Sequence, residues 1–477
     1  MPKLRIALCQ LRVHPGEPAR NAEAMLRWID EQRGHADVLV FPELCVPGYF
    51  LGDTWERPAF LRDCELWNAR LIAATAAHAD SPAIVFGTVA VDWETKGEDG
   101  RPRKYNAWVV AQHGAAVEHP GLGRPYGIKT LLPHYREFED GRHFHDARAL
   151  ARDEDRAWQD FIEPVILNVS GTTVRLGVLL CEDAWEDDYV QKPVAVLATK
   201  RPDVVVNLSA SPFTRGKNGK RNRVFGGKAR ALGCPLIYVN ATGIQNNGKT
   251  LYTLDGRSTV YAADGTVFHE VAPYEDKVVV VEAAGTGDET RWTIVRAAGS
   301  NTPGLQTGAG SPAPCPPESI SPPASISRQA DATLHDVYAA VRYGADQFLA
   351  STGRRKVVIG VSGGIDSAVS AALFASFLPP ENILLINMPS RFNSGTTRSL
   401  AKQLAENIGC LYTEIPIEDS LAVTRAQLGR LDVSSVDGTR THSMVLEGIA
   451  DENAQARDRG ARILAAVAQA FGGVFVC

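Results

Sequence analysis

Short apolar runs alternate with amphipathic stretches along residues 1–283 of the chain. Runs rich in β-branched and large apolar residues predict strands, and apolar positions repeating at helical spacing predict helices. The predicted strands are residues 4–8, 38–41, 83–91, 174–180, 204–208, 236–239, 258–261 and 277–281. The predicted helices are residues 19–33, 66–78 and 222–232. This alternation predicts an α/β domain over residues 1–283.

A second α/β pattern begins at residue 328 and continues to residue 477. The predicted helices are residues 332–351, 365–377 and 396–408, and the predicted strands are residues 356–361, 383–387 and 411–415. Strands that alternate with helices of this length form parallel sheets, so we expect a doubly wound domain. The nearly apolar residues 463–477 are too few to cross a bilayer and predict a buried helix that enters a strand.

Residues 284–327 separate the two patterns. They contain the runs Pro-Ala-Pro-Cys-Pro-Pro and Ser-Pro-Pro-Ala-Ser and few large apolar side chains. A segment of this composition cannot bury enough apolar surface to offset the entropy lost on ordering. We therefore predict a linker, or an arm that lies on the surface, between two domains.

Composition narrows the function classes. Hydrophobic residues at 44% and charged residues at 22% are ordinary for a soluble globular protein of 477 residues. The net charge of -5 argues against a surface that coats nucleic acid. The charged start, Met-Pro-Lys-Leu-Arg-Ile, does not match a signal peptide, and no apolar run is long enough to span a membrane. Eight cysteines without metal-ligand spacing predict a reducing, cytoplasmic compartment.

Three residues with catalytic potential lie where predicted strands end or loops begin. Glu43 lies in Phe-Pro-Glu-Leu-Cys-Val-Pro-Gly-Tyr, Lys129 in Tyr-Gly-Ile-Lys-Thr-Leu-Leu-Pro, and Cys181 directly before Glu-Asp-Ala-Trp. Taken singly, a cysteine that ends a strand is usually a small buried apolar residue. A lysine or glutamate in a loop is usually solvated. The three together favour a different interpretation.

In this order and with these flanks, the three residues resemble the Glu-Lys-Cys triad of the nitrilase, or carbon–nitrogen hydrolase, superfamily. The resemblance covers residues 3–283, and the segments 207–213 and 238–240 also resemble the glutaminase domains of NAD synthetases. It implies a nitrilase-like αββα sandwich with a thiolate nucleophile, a general base and a cation beside the oxyanion. We expect Glu43 and Lys129 within hydrogen-bonding reach of Cys181. The implied glutamine-binding residues are Tyr135, Glu182, Ser209 and Ser211.

The carboxylate that supports this triad is open. Relatives usually carry an Asp-Glu pair after the Tyr-x-x-Phe that follows the lysine, whereas this chain has Glu139 and Asp140 in the reverse order. Asp140 is one methylene shorter than a glutamate at that position. Sequence alone leaves the choice between the two carboxylates undecided.

A glycine turn joins strand to helix in Val-Ile-Gly-Val-Ser-Gly-Gly-Ile-Asp-Ser, residues 358–367. Glycines let the backbone approach a phosphate, and N–H groups at a helix start favour anions. The motif Ser-Gly-Gly-x-Asp-Ser resembles the pyrophosphate-binding loop of ATP pyrophosphatases, which cleave ATP to AMP and pyrophosphate. The resemblance implies that Asp366 holds Mg²⁺. The implied ATP-binding residues here are Ser362, Gly363, Gly364, Ile365, Asp366 and Ser367.

A second glycine motif does not qualify as a nucleotide site. Residues 243–250, Gly-Ile-Gln-Asn-Asn-Gly-Lys-Thr, fit the formal pattern of a phosphate loop. The residues that follow contain a turn signal and β-branched side chains, with no helix to supply an anion site. We predict a surface loop.

Two later segments, residues 387–394 and 452–462, resemble NAD synthetases among the ATP pyrophosphatases. The implied ATP ligands are Asn387 and Arg391, and the implied ligands of deamido-NAD or nucleotide are Asn453, Arg457 and Arg462. A solvated arginine face is the alternative for the last segment. The chain is thus identified as a member of the glutamine-dependent NAD synthetases. These hydrolyse glutamine and pass ammonia to adenylated deamido-NAD, which gives NAD, AMP, pyrophosphate and glutamate. The resemblance also implies an ammonia tunnel and a homo-oligomer.

In NAD synthetases the sequence continues beyond the position of Cys477 into an Asn-Lys-x-Glu segment and further elements, so we expect an incomplete second domain that makes little NAD. Two other functions stay open. One is a glutaminase or other amidase with an inert second domain, and the other is a nucleotide-binding scaffold. ATP-dependent formation of NAD separates the ligase from both.

Overall fold

The computed structural model describes residues 3–97, 99–136, 138–169, 171–284, 291–299, 328–390 and 395–476. The chain divides into two compact units, Met1–Ala340 and Val341–Cys477. Within the described segments, no helix is both long and apolar enough to cross a lipid bilayer.

The first unit contains sixteen strands and six helices among the described residues before residue 328. The strands are β1 (Leu4–Gln10), β2 (Val38–Val40), β3 (Ala83–Lys96), β4 (Pro102–Gln112), β5 (Ala115–Ala116), β6 (Gly127–Ile128), β7 (Val165–Val169), β8 (Thr172–Leu180), β9 (Val204–Ser209), β10 (Leu236–Asn240), β11 (Thr242–Asn246), β12 (Leu251–Asp255), β13 (Thr259–Tyr261), β14 (Val267–Glu270), β15 (Lys277–Ala284) and β16 (Arg291–Gly299). The helices are α1 (Pro18–Glu31), α2 (Pro58–Ala74), α3 (Asp140–His143), α4 (Ala147–Asp153), α5 (Pro193–Thr199) and α6 (Lys217–Leu232).

Two sheets form the centre of this unit. An eight-stranded sheet has the order β16-β15-β1-β2-β3-β4-β5, with β6 also paired to β4. A six-stranded sheet has the order β14-β13-β10-β9-β8-β7. The central strands β1, β2 and β3 run parallel in the first sheet, as do β8, β9 and β10 in the second. Parallel strands bring their carboxyl ends to one edge of a sheet, where loops gather.

Apolar side chains of the two sheets face each other and form the innermost core, in which Val40 of β2 and Leu208 of β9 are fully buried. On the outer side of the first sheet, α1 and α2 pack through residues such as Trp28 and Leu71. On the outer side of the second sheet, α5 and α6 pack through residues such as Leu197 and Phe225. The unit is therefore an αββα sandwich, which confirms the predicted fold.

The hairpin β11–β12 contains the formal phosphate-loop pattern of residues 243–250. Asn246 accepts a hydrogen bond from the backbone N–H of Gly248 at 2.7 Å, and Asn247 accepts one from the N–H of Thr250 at 2.9 Å. These asparagines use the amides that a phosphate would need, and the segment continues into a strand. This geometry agrees with the prediction that the segment is not a nucleotide site. The predicted surface loop is wrong for residues 243–246, which belong to β11 and include the buried Gln245.

One part of the predicted linker is a strand. Residues 291–299, within the predicted linker 284–327, form β16, which pairs antiparallel with β15 along its whole length at the edge of the first sheet. The predicted start of the linker at residue 284 is therefore wrong, because the Pro-rich composition of the later residues masked the strand-like Arg-Trp-Thr-Ile-Val. The stretches 285–290 and 300–327 lie outside the described residues.

From residue 328 onward, the strands are β17 (Val357–Gly360), β18 (Ile383–Asn387), β19 (Leu411–Glu414), β20 (Arg430–Ser434), β21 (Thr441–Val445) and β22 (Val474–Val476). The helices are α7 (Arg328–Ser351), α8 (Ile365–Ala375), α9 (Gly395–Ile408), α10 (Glu418–Leu428), α11 (Ile449–Arg457) and α12 (Ala465–Phe471). A π-helical segment, Asp458–Leu464, joins α11 to α12.

The second unit contains a four-stranded sheet of order β19-β18-β17-β22, in which every pair is parallel. Residues of α8 and α9 cover one face of this sheet. Residues of α10, α12 and the π-helical segment cover the other face. This is the predicted doubly wound arrangement. The chain proceeds from β17 to β18 and β19 on one side and returns to β22 on the other, so the strand order reverses beside β17, where such folds bind ligands.

Candidate active sites

The catalytic candidate Glu43 lies in a tight turn directly after β2. The backbone of Gly87 in β3 holds this turn, since its N–H donates to the carbonyl of Pro42 at 3.0 Å and its carbonyl accepts from the N–H of Cys45 at 3.0 Å. A Cβ atom on Gly87 would lie 2.5 Å from the Cα of Glu43. The glycine therefore allows the close approach that turns the glutamate side chain into the interior, where it is 1% exposed.

Lys129 follows β6 and is also buried. Its Nζ donates to Oε1 of Glu43 at 2.7 Å and to Oδ2 of Asp140 at 3.1 Å. Burial lowers the pKa of a lysine, but the negative charges of Asp140 and Glu43 outweigh it and hold the pKa of Lys129 well above its usual value. The ammonium group therefore remains charged inside the protein, paired with two carboxylates.

Asp140, the first residue of α3, supports the triad. Its other oxygen, Oδ1, accepts a hydrogen bond from the hydroxyl of Tyr49 at 2.5 Å. The side chain of Glu139, by contrast, is 62% exposed and lies 3.8 Å from Arg142. The reversed order of the two acidic residues therefore still places a carboxylate on Lys129, and it is the shorter one.

Cys181 ends β8 and begins a short 3-10 turn, Cys181–Ala184. Its φ of 34° lies in the left-handed region, which a residue with a side chain seldom adopts and which is typical of strained functional positions. Burial, together with the negative charge of Glu43, raises the pKa of the Cys181 thiol to about 12, and the positive charge of Lys129 opposes this rise. The charges of Glu43 and Lys129 thus act directly on this thiol. Their hydrogen-bonding reach to its sulfur stays a prediction.

Two further groups, which the sequence did not reveal, hold the carboxylate of Glu43. The amide of Asn106 in β4 donates to Oε1 at 2.8 Å, and the backbone N–H of Ala210 donates to Oε2 at 3.1 Å. The Asn106 carbonyl also accepts from the N–H of Lys129 at 3.0 Å. A polar residue in the middle of a buried strand could have marked Asn106 as a functional candidate, but the strand β4 itself was not predicted.

Asp183 joins the two catalytic loops. Its buried carboxylate accepts hydrogen bonds from the backbone N–H groups of Thr130 at 3.0 Å, Leu131 at 2.8 Å and Leu180 at 3.2 Å. Burial raises the pKa of Asp183 to about 7, although the three N–H donors and the charge of Lys129 act to lower it. The chain after Lys129 and the chain before Cys181 are therefore tied to one side chain.

The predicted glutamine-binding residues lie around the same turn. Glu182 is buried and accepts hydrogen bonds from the hydroxyl of Tyr135 at 3.1 Å and from that of Tyr189 at 2.8 Å. Burial raises the pKa of the Glu182 carboxyl. Ser209 and Ser211 are buried on either side of Ala210, whose N–H meets Glu43. Tyr189 was not predicted.

The phosphate-loop candidate follows β17 at the point where the strand order reverses. Gly363 has φ of +83°, and a Cβ there would lie 2.2 Å from the carbonyl oxygen of Thr397. The hydroxyl of Ser362 accepts from the N–H of Gly364 at 3.2 Å, and that of Ser367 donates to the carbonyl of Gly364 at 3.0 Å. These contacts fold the loop back on the start of α8, while Ser362 and Gly364 remain exposed.

Asp366 lies in the first turn of α8, exposed beside Ser362 and Ser367. Within the described part of the chain, no group of three or more His, Cys, Asp or Glu side chains is arranged to hold a metal ion. Mg²⁺ bound with nucleotides commonly uses one or two protein carboxylates, with phosphates and water as the remaining ligands. A single exposed carboxylate next to a phosphate loop fits that pattern.

Asn387 ends β18 next to this loop and donates to the carbonyl of Val361 at 2.8 Å. Its buried Oδ1 has no hydrogen-bond partner. Arg459, in the π-helical segment, donates to the carbonyl of Met388 at 3.2 Å and so reaches the end of β18. Arg391 lies outside the described residues.

The remaining nucleotide-binding candidates lie on α11 and the π-helical segment. Asn453 and Arg457 are exposed. Arg462 donates to Asp458 at 2.5 Å and to Ser420 of α10 at 2.8 Å. Its guanidinium is therefore held by protein groups, which departs from the expectation that it faces a phosphate. All three assignments stay predictions.

Comparison with known proteins assigns a family to each of the two units. Residues 5–291 match the carbon–nitrogen hydrolase family, and residues 337–477 match the NAD synthase family. The chain is 30% identical over 479 residues to the glutamine-dependent NAD(+) synthetase of Rhodobacter capsulatus, covering 99% of this chain and 71% of that protein. The glutamine-dependent NAD(+) synthetase of Xanthomonas campestris pv. campestris is 30% identical over 473 residues, with coverage of 99% and 71%.

One solved structure shows the same fold throughout. The glutamine-dependent NAD+ synthetase of Acinetobacter baumannii, in complex with adenosine diphosphate, matches with a TM-score of 0.72 at 23% identity, covering 100% of this chain and 74% of that one. Fold and sites thus define the class, a carbon–nitrogen hydrolase unit fused to an NAD synthase unit. The chain belongs to the glutamine-dependent NAD(+) synthetase family.

Proposed function

We propose that the chain is a glutamine-hydrolysing NAD synthase. Ammonia from glutamine in the first unit converts adenylated deamido-NAD to NAD in the second, with AMP, pyrophosphate and glutamate as the other products. The observation that carries the proposal is the buried pair of Glu43 and Lys129 beside Cys181, in a family whose members carry both units.

Thioester formation follows from the protonation states in the first unit. Sγ of Cys181 attacks the side-chain amide carbon of glutamine, and Glu43 takes the thiol proton in the same step. The charged Lys129 stabilises negative charge on the amide oxygen. The carbon–nitrogen bond then breaks, Glu43 returns the proton to the departing nitrogen, and ammonia leaves a glutamyl thioester. Water, activated by Glu43, hydrolyses the thioester, which releases glutamate and restores the thiol.

Recognition of glutamine uses the groups around the nucleophile turn. The buried carboxylate of Glu182, held by the hydroxyls of Tyr135 and Tyr189, attracts the α-ammonium group of glutamine. Ser209 and Ser211 supply hydroxyls beside the catalytic base. A substrate without the α-ammonium group loses this ion pair and binds more weakly.

The second unit activates deamido-NAD. The exposed loop Ser362–Ser367 and the start of α8 present N–H and hydroxyl donors to the phosphates of ATP. Asp366 holds Mg²⁺, which neutralises phosphate charge when bound. Asn387, Arg391, Asn453 and Arg457 complete the proposed nucleotide and deamido-NAD contacts. Family membership further supports a homo-oligomer in the cytoplasm, which light scattering and cell fractionation test.

The proposal is tested by measuring ammonia release and NAD formation in the presence of ATP, Mg²⁺ and deamido-NAD, with glutamine or ammonium chloride as nitrogen source. Cys181→Ala abolishes glutamine hydrolysis and any glutamine-dependent NAD formation, and it leaves ammonium-dependent NAD formation at whatever level the unmodified chain shows. Cys234→Ala, at another buried cysteine, is the matched control and retains both. Ammonia release without any NAD formation from either source would favour the amidase alternative, and hydrolysis by the Cys181 variant would remove the triad assignment.

A further inference from the structure

Asn240, the last residue of β10, is fully buried next to the glutaminase site. Its Oδ1 accepts a hydrogen bond from the N–H of Ser211 at 2.8 Å, and its Nδ2 donates to the carbonyl of the same residue at 3.1 Å. A side-chain amide thus pairs with one residue's backbone as a neighbouring strand would. The Nδ2 group also donates to the carbonyl of Gly256 at 3.0 Å and to Asp255 at 3.2 Å.

The backbone held in this way is part of the catalytic site. Ala210, the residue before Ser211, donates its N–H to Oε2 of Glu43 at 3.1 Å. The remaining donors to this carboxylate, Asn106 and Lys129, both bind Oε1. Among the hydrogen bonds to Glu43 in the described residues, the Ala210 N–H is the only one to Oε2, so its position sets the rotation of the carboxylate.

A buried ion pair contacts the side chain of Asn240 through Asp255. Arg221 of α6 is fully buried and donates to Oδ1 of Asp255 at 3.1 Å and to Oδ2 at 3.4 Å. Asp255 Oδ1 also accepts from Asn240. The backbone N–H of Asn240 donates to the hydroxyl of Ser258 at 3.1 Å. Asn240 is therefore fixed at both its side chain and its backbone. Its side chain contacts both Asp255 of the ion pair and the backbone of Ser211 directly.

We propose that Asn240 is a positioning residue for glutamine hydrolysis, which acts by holding the Ala210–Ser211 backbone so that the Ala210 N–H aims the carboxylate of Glu43 at the thiol of Cys181. This inference rests on the proposed function of the first unit. It adds a role for the segment 238–240 that the triad does not contain. Because a displacement of about 1 Å can lower a rate about a hundredfold, loss of this amide affects turnover before binding.

The experiment compares Asn240→Ala and the milder Asn240→Ser with Asn21→Ala in the 477-residue chain. Asn21 of α1 is a matched control, because it is also fully buried and makes the same reciprocal pair with the backbone of His14, plus a third bond to Val46. Among the described residues, the side-chain hydrogen bonds of Asn21 reach His14 and Val46 and do not reach Glu43 or the loop at 209–211. Glutamine kcat and KM, the melting temperature and ammonium-dependent NAD formation are measured for each variant.

We expect both Asn240 variants to lower glutamine kcat about tenfold to a hundredfold, with a smaller change in KM and with ammonium-dependent NAD formation unchanged. Asn21→Ala is expected to lower the melting temperature to a similar extent while kcat stays within about twofold. If Asn240→Ala does not fold, the kcat of Asn240→Ser tests the inference. Wild-type kcat in the Asn240 variants, or an equal loss of kcat in Asn21→Ala, would overturn the inference. Absence of glutamine hydrolysis in the unmodified chain would instead remove the proposed function, and the Cys181→Ala comparison identifies that case.

Discussion

At the scale of single residues, the support of Lys129 by Asp140 has a direct test. Asp140→Asn keeps the shape but removes the negative charge that pairs with the Lys129 ammonium group, and the Tyr49 hydroxyl can turn to accept from the new N–H₂ group. We expect glutamine kcat to fall about tenfold to a hundredfold, because the ammonium group shifts away from the oxyanion position.

Glu139→Gln is the matched control for this change, because its exposed side chain has no contact with the lysine in the described residues. Its kcat is expected to stay within about twofold of the unmodified chain. Ammonia release under saturating glutamine measures both variants. A loss in Glu139→Gln that equals the loss in Asp140→Asn would return the supporting role to Glu139.

The raised pKa of Cys181 predicts how the thiol reacts with alkylating agents. A pKa of about 12 means that the thiolate fraction at pH 8 is only about 10⁻⁴. The alkylation rate at Cys181 should therefore rise about tenfold for each pH unit from 7 to 9.5 without levelling off, whereas free cysteine levels off near its pKa of about 8.5.

Peptide-resolved mass spectrometry after short treatment with iodoacetamide follows this one cysteine. The raised pKa also explains why Glu43 is needed, since the proton must move during attack. A rate that is independent of pH over this range would show that thiolate and protonated base already coexist in the resting enzyme.

The residues that could be predicted from sequence share a local signature. Glu43, Lys129 and Cys181 all follow strands, and the first two also lie among glycines and prolines, where chemistry is common. Asn106 and Asn240 could not be predicted, because their roles depend on which strands pair and on which face each side chain lies. Arg462 shows the opposite case. Its i,i+4 spacing to Asp458 is visible in the sequence, yet Arg462 was predicted to bind nucleotide, and the structure pairs it with Asp458.

At the scale of elements, the turn between β17 and α8 depends on one glycine. Gly363 has positive φ, and an added methyl would meet the Thr397 carbonyl at 2.2 Å. Gly363→Ala is expected to lower ammonium-dependent NAD formation about a hundredfold or more, because the loop can no longer fold onto the start of α8. Glutamine hydrolysis in the first unit should be unaffected.

Gly395→Ala provides the control for this loop. Gly395 begins α9 nearby in the chain, has no atom within 4 Å of an added Cβ, and lacks the left-handed conformation. Its NAD formation is expected to match that of the unmodified chain. Equal activity of the two variants would show that the loop tolerates a side chain and does not cradle phosphate in this conformation.

Predicted elements agree with the structure where one periodicity dominates. The helices α1 and α9 and the strands β1, β8 and β18 lie close to their predicted bounds, whereas α6 begins five residues before its predicted start at residue 222. The strand β4 was missed because it begins with Pro-Arg-Lys-Tyr-Asn, which lacks an apolar period. The strand β16 was missed because its neighbours in the sequence are rich in glycine, serine and threonine, and a window averages across the boundary.

At the scale of the whole molecule, the position of the linker stays a prediction that proteolysis can test. The composition of residues 300–327 favours cleavage there by a protease of broad specificity. We expect two fragments that separate the β1–β16 region from the β17–β22 region, identified by mass spectrometry. First cleavage within either sheet region would contradict this division of the chain.

The domain order and the fold class could be predicted because each domain carries its own motif and its own alternation of elements. It could not be predicted from the sequence that candidate catalytic groups from both sheets come together. Glu43 follows a strand of one sheet, and Cys181 follows a strand of the other. Only the packing of the two sheets brings their loops to one place, and packing between sheets leaves little trace in local periodicity.

The close approach of the Glu43 turn to Gly87 limits which residues can replace this glycine during evolution. The turn that carries Glu43 rests on the bare backbone of β3, with the nitrogen of Leu44 also 2.5 Å from where a Cβ would stand. A library randomised at the codon of Gly87 and screened for ammonia release would therefore return only glycine. A library randomised at the exposed Glu94 of the same strand would return almost any residue. Selection on the catalytic base thus reaches a position that contributes no side-chain atom to the reaction.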